Sequence, residues 1–248
     1  MLRSVNEIIN YVIEAEDGEI GRCKDFLFDD RHWAIRYMAA DTRKWLPGRK
    51  VLISPIALGD PDWKSGRFPV KLTCQQIEES PALDEDKPVS RQYETRWFDY
   101  FGWPYYWAGG GLWEADPYPA ALYAKMRSEI ALQEKKPEES HLRSAKEVTG
   151  YHIQASDGEV GHVEDFVMEE RPWIIRYMVV DTRNLLPGRK VLVSPGWIDS
   201  VEWTSGKVGV KLTIDAVKEG PEYNPAEPIN REYEIRLYDY YGRPRYWE

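Results

Sequence analysis

The sequence predicts a mainly β fold made of two tandem small barrels, each followed by a short helical, aromatic tail, with a linker helix between the copies. Three observations carry that expectation. The stretch Trp33–Arg43 returns 140 positions later as Trp173–Arg183, and the same shift lays Leu2–Trp107 on Leu142–Trp247 without a gap, with about half of the pairs identical. Asp17-Gly18 and Asp157-Gly158 each sit between two apolar-patterned runs, the signature of a tight hairpin. Short strand-like runs recur at roughly 8 to 12 residues with turn chemistry between them, as a small antiparallel barrel requires.

The domains expected from the repeat are 1–107, a linker at 108–141, and 142–248. Within the first copy, a run from Arg3 through Tyr11 to Ala15 leads to the Asp17-Gly18 turn, and Glu19–Phe28 returns. Gly21 and Gly161 interrupt the returning strands, where a bulge or a barrel corner is the usual reason. The central strand places Trp33, Ile35 and Tyr37 on one face, and its opposite face is largely apolar as well, so it is expected mid-sheet with cover on both sides. Leu46–Lys50 forms a turn, Val51–Ser54 a short strand that Pro55 ends, and Phe68–Thr73 a closing strand, with one helical turn at Gln75–Glu79.

In each tail Ser90 or Asn230 N-caps a short helix with Tyr93, Trp97 and Tyr100 on one side, stopped by Gly-x-Pro. In the linker Gly109–Gly111 gives a flexible start, and Leu122, Tyr123, Met126 and Ile130 recur at near-helical spacing, an amphipathic pattern.

A formal net charge of -9 and a pI near 5.2 argue against nucleic acid as the main partner, because phosphate backbones are bound by clustered Lys and Arg. Cys23 and Cys74 face Val163 and Ile214 in the other copy, so both read as small buried apolar side chains rather than a disulfide or zinc pair. No basic segment with an apolar run opens the chain, and no uncharged stretch of about 18 residues occurs, so a soluble cytoplasmic protein is expected.

The residues resemble the PRC-barrel family, known from the cytoplasmic part of the photosynthetic reaction centre H subunit and the end of the ribosome maturation factor RimM. The matching pattern is Asp17-Gly18, Gly21, Asp25-Phe26, Trp33, Ile35-Arg36-Tyr37, Asp41-Thr42-Arg43 and Leu46–Pro55. It returns at Asp157-Gly158, Gly161, Asp165-Phe166 and Leu186–Pro195. The resemblance implies a small β-barrel without a bound cofactor, and a barrel that docks on other macromolecules.

The sequence carries no catalytic set and no metal ligand set. His32, His141, His152 and His162 face Pro172, Met1, Val12 and Arg22, so none is duplicated. Asp17, Glu19, Asp25, Asp41, Glu94 and Asp99 recur in both copies, and Asp25 and Asp41 are expected to pair with Arg36 or Arg43. The structural ion-pair candidates are Arg36, Asp41 and Arg43 with Arg176, Asp181 and Arg183. Arg43, Arg49 and Lys50 read as an ordinary solvated turn, against a site for an acidic partner or anionic lipid.

The candidate interaction surface is Trp103, Tyr105, Tyr106 and Trp107 with Arg243, Tyr246 and Trp247, because Trp and Tyr in a Pro-bearing context anchor interfaces. The competing reading, favoured here, is that each tail packs across the other barrel. The expected function is therefore a non-catalytic binding or scaffold protein, a pseudo-dimer within one chain, docking on an unidentified protein partner. Alternatives are an accessory subunit of a membrane photosynthetic or electron-transfer assembly, with peripheral membrane contact, and an enzyme or ligand-binding protein using an inter-barrel cleft.

Overall fold

The computed structural model describes residues 1–42, 46–47, 49–84, 88–107, 141–182 and 189–248. Over these residues the protein is mainly β. The first copy contains β1 (Leu2–Ser4), α1 (Val5–Ile8), β2 (Val12–Ala15), β3 (Gly18–Asp29), β4 (Ile35–Asp41), β5 (Val51–Ile53), β6 (Arg67–Pro69), α2 (Cys74–Glu79) and α3 (Arg91–Phe101). The second contains β7 (Leu142–Ser144), α4 (Ala145–Val148), β8 (His152–Ala155), β9 (Gly158–Glu169), β10 (Ile174–Asp181), β11 (Lys190–Val193), a 3-10 turn (Pro195–Trp197), β12 (Ile198–Glu202), β13 (Lys207–Val210), α5 (Ile214–Glu219) and α6 (Arg231–Tyr241). The linker expected at 108–141 lies outside the described residues apart from His141.

The two sheets repeat one strand order, β5-β4-β3-β2-β6 and β11-β10-β9-β8-β13 with β12 added. β2 with β3, β4 with β5, β8 with β9, β9 with β10, β10 with β11 and β12 with β13 pair antiparallel, whereas β6 lies parallel to β2 and β13 parallel to β8. Among the described residues neither path closes into a barrel. The outer strands of the first sheet are three residues each, Pro55 lies two residues beyond β5, and Pro69, which has no N–H to donate, ends β6.

The hairpins fall where Asp-Gly places them. Between Ile13 opposite Gly21 and Glu14 opposite Glu19 the register slips by one residue, which is the bulge that Gly21 implies. Gly21 has φ +153° and Gly161 φ +68°, and a Cβ there would lie 2.1 Å from the Asp41 carbonyl oxygen and 2.0 Å from that of Asp181. These glycines therefore let the bent strand meet the backbone leaving the central strand.

That central strand is buried on both faces, as its pattern predicts, with Ile35, Tyr37 and Met38 fully enclosed. Trp33 and Trp173 do not extend it. Both are left-handed, at φ 55° and 66°, and Trp33 sits in the turn closed by its N–H on the Asp29 carbonyl. Each amino-terminal run is divided, because Ser4 and Ser144 cap a one-turn helix between two strands.

The chain folds as two compact units whose membership departs from chain order. One comprises Met1–Ile9, Asp25–Phe28 and Arg143–Glu248, and the other Asn10–Lys24 and Asp29–Leu142. Accordingly β1 pairs antiparallel with β9, Leu2 opposite Glu169 and Ser4 opposite Val167, and β7 pairs with β3. Each half of the sequence thus lends its first strand to the long strand of the other half.

Candidate functional site

The tails fold against the sheets of their own halves, which corrects the expectation that each crosses to the other. Buried polar groups dictate the choice. In α3 the stripe facing the sheet is Tyr93, Glu94, Trp97 and Phe98, so a carboxylate enters the core. Glu94 Oε1 accepts from the Tyr37 hydroxyl of β4 at 2.9 Å and from the Tyr106 hydroxyl of the tail at 2.7 Å, while Arg91 Nη1 stands 2.9 Å from Oε2. A buried carboxylate needs such donors, and the tail supplies one of them.

The second half repeats this with Glu234, which accepts from Tyr177 at 2.7 Å and Tyr246 at 2.9 Å, with Arg231 Nη1 at 3.0 Å. Burial pushes the Glu94 carboxyl upward, opposed by the charge of Arg91 and the hydroxyls of Tyr106 and Tyr37. Burial, then the charge of Glu94, holds the Tyr37 phenol well above its ordinary range.

Layered cations continue the arrangement. The Arg36 guanidinium lies 3.9 Å from the Tyr106 ring centre and Arg91 4.2 Å from that of Trp107; Arg176 on Tyr246 and Arg231 on Trp247 repeat it at 4.1 and 4.0 Å. Tyr105 is buried, stacks on Trp107 at 4.8 Å and donates to Asp99, whereas its counterpart Arg245 meets the matching Asp239 at 2.7 Å. Of the predicted interaction surface, Tyr105, Tyr106, Trp107, Tyr246 and Trp247 are thus committed to packing. Arg243 donates to the Lys211 carbonyl, and Trp103 stacks on Phe101 at 4.7 Å beside the exposed Tyr100.

The helix face differs from the expected one for the same reason. From Trp97 the inward stripe continues to Phe98, which leaves Tyr100 outward and 41% exposed.

The ion pairs also differ. Arg36 binds Asp29 at 2.5 Å and Arg176 binds Glu169 at 2.5 Å, carboxylates outside the expected set. Asp29 and Glu169 occupy equivalent positions and keep the charge but not the residue, so identity between the copies does not mark them whereas retained charge does. Asp25 accepts instead from the Ser144 hydroxyl at 2.5 Å and the Lys146 N–H at 3.0 Å. Asp41 and Asp181 end their central strands, with Asp181 buried, and Arg43 and Arg183 lie outside the described residues.

Arg49 is no solvated turn residue. Its guanidinium caps the carbonyl end of α2, on Glu78, Ile77 and Ser80 at 2.5, 3.0 and 2.6 Å. Cys23 is buried as expected, whereas Cys74 is only half-buried. Among the described residues no three His, Cys, Asp or Glu side chains gather so as to hold a metal ion, and no helix is long and apolar enough to cross a membrane.

At the tail of the first half Tyr100 is exposed and lies beside the half-buried Phe101 and Trp103, the three forming a ledge. In the second half the matching residues are Tyr240, Tyr241 and Arg243. Compared with known proteins, the sequence matches no family model and no curated protein.

Proposed function

We propose that this chain is a non-catalytic binding or scaffold protein of the cytoplasm, a tandem of PRC-type β-barrels that docks on a protein partner through the aromatic ledge of its first half. The observation that carries the reading is the ledge itself. Tyr100 is 41% exposed against its neighbour Phe101, ring centres 4.8 Å apart, and Phe101 stacks on the half-buried Trp103. Rigid aromatic side chains already ordered by their own packing lose little entropy on binding, which suits them to anchor a contact. Two features support the barrel assignment: the shared strand order of the two sheets and the glycine bulges at Gly21 and Gly161.

The test is cross-linking and affinity capture from native extract with the intact chain and with a Tyr100→Ala, Trp103→Arg variant. Arg is what the second half carries at the latter position, so the fold has a precedent for it. One stoichiometric partner, lost with the variant while circular dichroism is unchanged, is the expected result. A partner retained in full by the variant would overturn the assignment of the ledge.

A further inference from the structure

We infer that the amino-terminal arm and the strand that receives it form a self-complementary docking device, through which two copies of this chain exchange arms. This goes beyond the docking role of the aromatic ledge and does not depend on it.

The device occurs twice with the same chemistry. Ser4 Oγ donates to Asp165 Oδ2 at 2.5 Å, and Oδ1 accepts the Asn6 N–H at 3.1 Å. Ser144 and Lys146 grip Asp25 in the same way. Each serine also caps its one-turn helix, accepting the N–H of Glu7 at 3.2 Å or Glu147 at 2.9 Å. The arm helices bury Val5 and Ile8 in one case and Ala145 and Val148 in the other. The receiving segments, Asp25–Phe28 and Asp165–Met168, both read Asp-Phe followed by two apolar residues. Both acceptors thus present the same Asp-Phe chemistry to an arm that opens Leu-Arg-Ser.

The arm leaves its own half at a defined hinge. Asn10 is left-handed at φ 74° and Gly150, the equivalent residue, has φ 98°. Their N–H groups are held by the carbonyls of Cys23 at 2.8 Å and Val163 at 2.7 Å, so the chain is fixed just after the turn. An element that crosses from one half to the other through a short turn, in reciprocal fashion, is the arrangement from which strand-exchanged dimers form, because a second copy presents the same acceptor. Within one chain the effective concentration of arm and acceptor is high, so exchange between chains rises with protein concentration.

The test uses the full chain with Cys23→Val and Cys74→Ile, the residues of the second half, as background. Leu2→Cys and Glu169→Cys are introduced together in one chain, and singly in two chains of different tag length; these residues face each other across the ladder, where a disulfide fits. The chains are refolded over a concentration series and oxidised. The double variant is expected to cross-link within itself when dilute, and mixed single variants to give a heterodimer in preference to either homodimer, increasing with concentration. Cross-linking confined to single chains at every concentration would overturn the proposal. Failure of the double variant to cross-link at all would also overturn it, by removing the seated arm on which it rests.

Discussion

The two halves fill one core position from opposite elements, and that arrangement makes a quantitative prediction. Trp97 of α3 packs on Phe98 at 5.4 Å and on Phe101 at 4.8 Å. In the second half the equivalent residue is Leu237, and the indole on the matching Tyr238 and Tyr241, at 5.4 and 4.7 Å, belongs to Trp197, whose counterpart in the first half is Ala57. Both indoles are buried, at 1% and 4% exposure.

Trp97→Leu alone leaves a cavity. Truncation of a buried Trp to Ala costs about 3–5 kcal/mol, and Leu refills part of that space, so about 2–3 kcal/mol is expected. Ala57→Trp alone inserts an indole into filled space, for about 2–3 kcal/mol or more. Together the changes reproduce the second half, and the double variant should lose about 1–2 kcal/mol, well short of the sum. Urea denaturation of the four proteins gives the coupling energy directly, expected at about 3–4 kcal/mol. Additive losses, with coupling under about 0.5 kcal/mol, would refute the claim that the two indoles occupy the same space.

Gly21→Ala and Gly161→Ala drive a Cβ into a carbonyl oxygen and should each cost about 3 kcal/mol or more or prevent folding, whereas Gly102→Ala, with φ +68° and open space around it, should cost only about 1 kcal/mol by thermal melt. Tyr106→Phe removes one of two hydroxyl donors to Glu94 and should lower stability by about 1–2 kcal/mol; no change on urea titration would show that Glu94 does not depend on the tail. Burial raises the Asp165 carboxyl from 3.8 to about 6, against the hydrogen bonds of Ser4, Phe166 and Asn6. Because the folded state then holds its proton more tightly than the unfolded chain, this contribution is full below about pH 4 and is lost as pH rises to about 6. The stability of the wild type relative to Asp165→Asn should accordingly fall by about 2 kcal/mol across that window and level off above it, while a pH-independent difference would contradict the buried setting.

Much of the fold is legible because the chain carries two readings of itself. Hairpin turns, the bulge glycines and the doubly buried central strand follow from local chemistry. The exchange of arms is not local: the Leu-Arg-Ser run states its capping role but does not say which of two equal aspartates it meets. The tail geometry is hidden by a different cause, since Glu94 looks like a surface residue of an amphipathic helix until the two tyrosines that enclose it are known. One overlooked signal is in the differences between copies. Ala57 with Trp97 becomes Trp197 with Leu237, and Ser80 with Phe101 becomes Gly220 with Tyr241, where a Cβ on Gly220 would lie 2.3 Å from the Tyr241 hydroxyl. Changes made in pairs report contact, even between two copies in one chain.

The lending of the first strand also imposes a schedule on synthesis. Ser4 leaves the ribosome well before the aspartate it binds, which lies 161 positions further along. At about 5–20 residues per second the arm waits on the order of ten to thirty seconds for its acceptor. Over most of that time Asp25–Phe28 is already made while the serine that will cover it, Ser144, is not. The growing chain thus carries an open sheet edge and a loose apolar arm together, a state in which neighbouring nascent chains on one message are the nearest alternative partners.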